Sequence, residues 1–370
     1  MDHQLIYVPV FKSLQEEQKV LQSFDFQDRI YPYLEIIKEV DRKPSIRKNP
    51  ERTAKKVTPP KTFEHVYIPI IRNIKARRVF VDLPVHIKSR RDMKPEVLTF
   101  LQTVVANRAN RTDFMKKLSP LSKKVIPVIS SYYARTAEAN SIILQATELR
   151  RHFENLAFRT SYDSFSRDLN QIKSQVLPND YLILDWEDLP LLNKISQHSE
   201  IIESLRELNC TIVIHKSAVP SDITNTGLDH GEVIDTIDNS LINAYKGLGA
   251  HCFSDFCGIK KHNLGKGGRI SPGFIYYDAV TNKFYGYKGV NQELYEFETI
   301  IIPAILSSEA TARMLESEID FLGGTNVGWQ TINRISNNLE SGQNAGKFKK
   351  IGMEHYLHCL KSRIDNGDFN

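Results

Sequence analysis

Short apolar runs bounded by polar residues recur along this chain, each followed by a segment whose apolar positions fall at helical spacing. That alternation is expected of βα units. Eight runs stand out: LIYVPVF (5–11), IYPYLEI (30–36), VFVDL (79–83), VIPVIS (125–130), NLAFR (155–159), YLILDW (181–186), TIVIH (211–215) and HCFSDF (251–256). Helices are predicted over 61–75, 96–108, 138–151, 165–176, 194–208 and 232–248. The runs are nearly continuous in hydrophobicity, which marks strands covered on both faces, as in parallel sheets wrapped by helices. The pattern predicts an α/β fold, a TIM-type (β/α)8 barrel, with an open doubly wound sheet as the alternative. Pro9, Pro32 and Pro127 fall inside these runs, where each removes a ladder donor and calls for a bulge.

After the eighth run the period changes. FIYYD (274–278) and KFYGYKG (283–289), separated by AVTN, alternate aromatic and other positions like a β-hairpin inserted at 270–290. A closing helix over 297–318, interrupted at Pro303, completes a barrel spanning 1–320. Residues 321–370 then form a C-terminal helical extension that ends in a helix near 348–364.

Hydrophobic content of 41% and charged content of 25% are ordinary for a globular chain of 370 residues with a sizeable core. Apolar uncharged stretches such as 125–134 and 299–308 are only half of what a bilayer crossing needs. Asp2 and Lys12 spoil the opening as a secretory signal, and four cysteines are too few for a disulfide framework; both point to the cytoplasm. The net charge of +5 is mild, but its distribution is uneven. Between 38 and 61, nine Lys or Arg stand against Glu39, Asp41 and Glu51. Four prolines make that stretch an irregular loop after the second strand. Arg42, Lys43, Arg47, Lys48, Arg52, Lys55 and Lys56 are therefore candidates for nucleic-acid binding, or the loop is simply solvated.

In such barrels, reactive groups come from the C-terminal ends of the strands. Those ends carry Lys12, Glu35, Asp82, Ser130, Arg159, Asp185 with Glu187, His215 with Lys216, and Ser254 with Asp255. Glu35, Asp82, Asp185, Asp255 and His215 are the acid, base or metal-ligand candidates; Lys12, Arg159 and Lys216 would hold an anion. The mixture suits acid/base catalysis, phosphate recognition or one divalent metal, whose identity the residues do not specify. An inactive mouth also gathers opposite charges into ion pairs, and of Asp185 and Trp186, or His215 and Lys216, only one can point inward. GKGG (265–268) lacks the spacing of a phosphate loop and reads as a turn; Cys252 and Cys257, and His355, His358 and Cys359, read as packing residues.

The segments YVPVFKSLQEEQKVL, IYPYLEI, VFVDLP, VIPVIS, FRT, LILDW and FSDFCGI resemble the beta protein family, named from a product of a satellite bacteriophage immunity locus. GGRISPGFIYYD, KFYGYKG, GWQTINR and GMEHYLHCL extend the resemblance over nearly the full chain. Lys12, Glu35, Asp82, Arg159, Asp185, Phe253 and Asp255 match the family pattern; the basic insertion and Ser254, where glycine is usual, depart from it. The resemblance implies a component of an anti-phage defence module of the abortive-infection or toxin/antitoxin type, with products of neighbouring defence genes as partners. Combined with the strand-end residues, it leads to the expectation of a barrel mouth that binds or processes a phosphate-bearing ligand or nucleic acid. The alternative is a non-catalytic sensor or antitoxin-like scaffold that docks through Tyr276, Tyr277, Tyr285 and Tyr287.

Overall fold

All eight apolar runs contain a strand of the barrel, each too short for more than one pass. The computed structural model describes residues 2, 4–39, 61–91, 93–187, 189, 191, 198–261, 264 and 271–369. In chain order the barrel strands are β1 (Tyr7–Lys12), β2 (Tyr33–Glu35), β3 (Val79–Asp82), β4 (Val125–Ser130), β5 (Ala157–Ser161), β6 (Tyr181–Asp185), β7 (Thr211–His215) and β8 (Cys252–Asp255). They close into a parallel barrel in sequence order, with β1 pairing both β2 and β8. This is the (β/α)8 arrangement predicted from the runs. Pro9 and Pro127 sit in unbroken register opposite Asp255 and Val81, so neither required the expected bulge, and Pro32 precedes β2.

Helices Phe63–Asn73, Pro95–Ala106, Ser141–Leu149, Phe165–Gln175 and Ser199–Arg206 pack outside the strands as expected. The predicted helix over 232–248 is not formed as one piece: only Leu241–Ala244 is helical. Val233 instead bridges to Tyr285, and the Ile234 N–H donates to the Phe284 carbonyl at 2.8 Å. Asp238 stops the helix by accepting from the N–H and hydroxyl of Ser240, a local turn that competes with helical bonding.

The hairpin is present as β9 (Gly273–Asp278) and β10 (Lys283–Lys288). Its tyrosines do not form the exposed docking surface expected of them. Tyr276, Tyr277 and Tyr287 are buried, and the half-buried Tyr285 accepts from Arg313 Nη2 at 2.7 Å. The long helix Ala345–Asn366 covers Tyr276 and Tyr277, stacking His355 on Tyr276 at 4.7 Å and setting Tyr356 edge-on to Tyr277 at 4.7 Å. His355, His358 and Cys359 are accordingly packing residues. The closing segment breaks after Leu306, where Ser308 caps Glu309–Glu316, while Pro303 lies in the first turn of Ile302–Leu306.

Candidate functional site

A strand side chain alternates between the barrel interior and its helical shell. Val8, Val10, Phe80, Ile126, Val128, Ala157, Ile183 and Val213 fill the interior, while Leu34, Val81, Phe158, Leu184 and Ile214 face the shell. Counting in twos from the interior set, the inward residues near the C-terminal ends of β1 to β7 are Lys12, Glu35, Asp82, Ser130, Arg159, Asp185 and His215, with Ser161 one inward step beyond Arg159 at the end of β5. The register sets Lys12 beside Glu35, Glu35 beside Asp82, Ser130 beside Arg159 and Asp185 beside His215. Apolar layers fill the barrel, and one polar layer closes its C-terminal end.

Arg159 holds that layer together. Its Nη1 donates to Glu35 Oε1 at 3.0 Å, the Tyr33 hydroxyl at 3.0 Å and Asp82 Oδ2 at 3.3 Å, and its Nη2 donates to Asp185 Oδ2 at 2.6 Å. Lys12 Nζ lies 3.4 Å from Glu35 Oε2 and 4.1 Å from the centre of the Phe256 ring. Asp82 also receives Arg111 Nη2 at 2.6 Å and the Tyr33 hydroxyl at 2.8 Å. Three buried carboxylates thus face three buried cations, and this balance is what makes ionised groups tolerable away from water. Burial alone would raise the Glu35 carboxyl, but Lys12, His86 and Arg159 hold it well below the usual range. The same contest, won chiefly by Arg159, leaves Asp185 low.

His215 is neutral. Burial pushes its pKa down to about 3, against the opposing pull of Asp185. The Ser254 hydroxyl donates to the Val8 carbonyl at 2.6 Å, so its oxygen accepts from His215 Nδ1 at 2.9 Å and the imidazole keeps Nε2 as its acceptor.

Above this floor lies a cavity of about 570 Å³, walled by the loops after β3, β4, β5, β6 and β8. Six of its lining residues are Lys or Arg (Lys88, Arg90, Arg135, Arg159, Arg167 and Lys261) against Asp168, Asp185 and Glu187. Arg135 clamps one wall, donating to the Val85 and His86 carbonyls at 3.0 Å each, and His86 Nε2 in turn sits 3.3 Å from Glu35. Among the described residues, Lys88 and Lys261 make no ion pair. Glu187 adopts a left-handed φ of 57° and returns its N–H to Asp185 Oδ1 at 3.0 Å. Glu35, Asp82 and His86 present one donor atom each within 4.8 Å of one another, the only such group among the described residues. Arg159 Nη1 already bridges the two carboxylates, so this donor set admits a divalent cation only if the guanidinium leaves.

The strand ends therefore bring together Lys12, Glu35, Asp82, Arg159, Asp185 and His215, but not Lys216 or Asp255. Lys216 follows the inward His215 and points outward, with Nζ 3.0 Å from Asp238 Oδ2. Asp255 likewise lies outside the barrel wall. It accepts from the Tyr7 hydroxyl at 2.6 Å, the Tyr356 hydroxyl at 2.5 Å and the Cys257 N–H at 2.7 Å, tying the C-terminal helix to β1 and β8. Burial raises its pKa. The turn Asp255-Phe256-Cys257 repeats Asp185-Trp186-Glu187, down to a φ of 54° at its third residue, with inward and outward positions exchanged. Arg42, Lys43, Arg47, Lys48, Arg52, Lys55 and Lys56, like the GKGG turn, lie outside the described residues.

Sequence reasoning missed Tyr33, His86 and Arg111. Tyr33 stands two residues before Glu35, so the period of a strand could have found it. Arg111 stands among other charges in RANRTDFMKK, with nothing to single it out; it is wholly buried and donates to Leu83 O, Val128 O and Gln145 as well as to Asp82. Among known proteins, the family model described as Beta protein matches residues 7–360. No curated protein matches the chain.

Proposed function

The chain belongs to the beta protein family, and from that premise we propose that it is a cytoplasmic component of an anti-phage defence module whose barrel mouth binds a phosphate-bearing ligand. The observation that carries this reading is the excess of Lys and Arg around a cavity at the C-terminal end of the barrel. Arg159 is consumed by the floor, Arg135 by backbone carbonyls, and Arg167 is paired with Asp168; Lys88 and Lys261, which make no ion pair among the described residues, are the cations we assign to the anion. Their charge attracts phosphate, and the low-dielectric floor strengthens the contact. Four free, buried cysteines agree with a reducing compartment, and no described helix is long and apolar enough to cross a membrane.

Lys88→Glu with Lys261→Glu should abolish plaque protection and the binding of inorganic phosphate, while the melting temperature stays within a few degrees because Lys88 is exposed, Lys261 is only half-buried and neither makes an ion pair among the described residues. Full protection by that double variant would end the proposal. A second reading, a ligand sensor without turnover, is favoured by one feature: every carboxylate of the floor is already paired with a cation, so none is free to take a proton. Chromatography of a nucleotide incubated with the protein separates the two, since only turnover yields a new species.

A further inference from the structure

We infer that the ligand of the mouth is a nucleoside phosphate, its base stacked on the Arg167 guanidinium and its phosphate held by Lys88 and Lys261; this deepens, and rests on, the phosphate-binding reading above. Arg167 and Asp168 lie in the first turns of the helix Phe165–Gln175 and both line the cavity. The guanidinium of Arg167 lies 4.8 Å from the centre of the Tyr133 ring, which backs it. Its Nε donates to Asp168 Oδ1 at 3.1 Å, and the other oxygen of that buried carboxylate accepts from the Thr160 hydroxyl at 2.9 Å. A surface arginine ordinarily spends its rotamer freedom in water. Here a ring and a second, buried hydrogen-bonded group hold its plane still, which is the preparation a stacked base requires.

The rest of the wall agrees with such a ligand. Ser130, Ser131, Ser161 and Ser164 also line the cavity and offer it hydroxyl-bearing side chains, which suit a ribose. A volume of about 570 Å³ is that of a small-molecule site, and a duplex cannot enter it. Inorganic phosphate alone would leave the Arg167 platform and the hydroxyl wall unused.

The test is calorimetric titration of the full chain with inorganic phosphate, ribose 5-phosphate and the four nucleoside monophosphates. Nucleoside monophosphates should bind about fivefold or more tightly than ribose 5-phosphate, the least that stacking of one base supplies. Arg167→Lys keeps the charge and loses the plane; it should erase that preference and leave the ribose 5-phosphate Kd unchanged. Equal Kd values in the native protein, or a preference that survives Arg167→Lys, would overturn the nucleoside and spare the phosphate reading. Absence of binding by every phosphate compound would overturn both.

Discussion

Replacing Arg159 by methionine keeps an unbranched apolar stem and removes the one charge shared by Glu35, Asp82 and Asp185. The three carboxylates do not suffer equally. Glu35 keeps Lys12 at 3.4 Å, and Asp82 keeps Arg111 at 2.6 Å and the Tyr33 hydroxyl at 2.8 Å. Asp185 loses its bond of 2.6 Å and keeps the Glu187 N–H at 3.0 Å on its other oxygen. Removing one partner of a buried pair costs about 3–5 kcal/mol, most of it the strandedness of the remaining charge. The loss in Arg159→Met should therefore be of that size at pH 7, and should be concentrated on Asp185.

Two measurements by urea denaturation check the assignment. In the double variant Arg159→Met/Asp185→Asn the stranded charge is gone, so part of the loss returns, with a coupling of about 0.5–3 kcal/mol. The pH dependence also changes sign. In the native protein, Glu35 and Asp185 have folded pKa values below their unfolded ones. Their contribution is complete above the unfolded carboxylate range, near 4, and is lost as pH falls through the lower folded values. Without Arg159, burial governs Asp185 and raises it, so the variant recovers stability relative to the native protein as pH falls from 7 toward 4. A loss below about 1 kcal/mol, or no recovery in the double variant, would refute the charge-balanced floor.

Asp255→Ala strands two tyrosine hydroxyls and a backbone N–H, at about 1–3 kcal/mol for each buried group left unpaired, and should leave phosphate binding by the folded protein unchanged; weakened binding at full stability would return Asp255 to the mouth. Asp255→Asn keeps an acceptor for the tyrosines. Because burial raises the Asp255 pKa, the native protein loses stability as pH rises from the unfolded value through the folded one, and the amide should remove that loss. His215, held neutral down to about pH 3, costs stability as pH falls from its unfolded value of about 6.5, by up to ~1.4 kcal/mol per unit. His215→Gln should flatten that limb of the stability curve, and an identical limb in the variant would show that the imidazole is charged in the folded state.

Much of the architecture was legible because burial of both strand faces leaves a mark that local sequence carries. VIPVIS and TIVIH match β4 and β7 residue for residue, and the other six strands fall within or across the edges of their runs. The segment 232–248 misled because Val233, Ile234, Ile237, Leu241 and Ile242 have helical spacing, yet Val233 and Ile234 spend their backbone on the hairpin and Asp238 turns the chain. The hairpin tyrosines misled in the same way: alternation shows that a strand has two faces but not what covers the second, and here a helix about 70 residues further on covers it.

The order and closure of the barrel, and the gathering of charge at one end of it, were determined by the sequence, since short apolar runs with polar tips can be buried in few other ways. Which tips face each other was decided by tertiary structure alone. A strand buried on both sides has no polar face from which to read parity, so Asp185 and Asp255, each preceding an aromatic residue in the same turn, were indistinguishable until the barrel closed. Closure sent Asp185 inward to Arg159 and Asp255 outward to Tyr7 and Tyr356. The choice rests on a shift of one residue in phase, and in a strand that shift reverses every side chain.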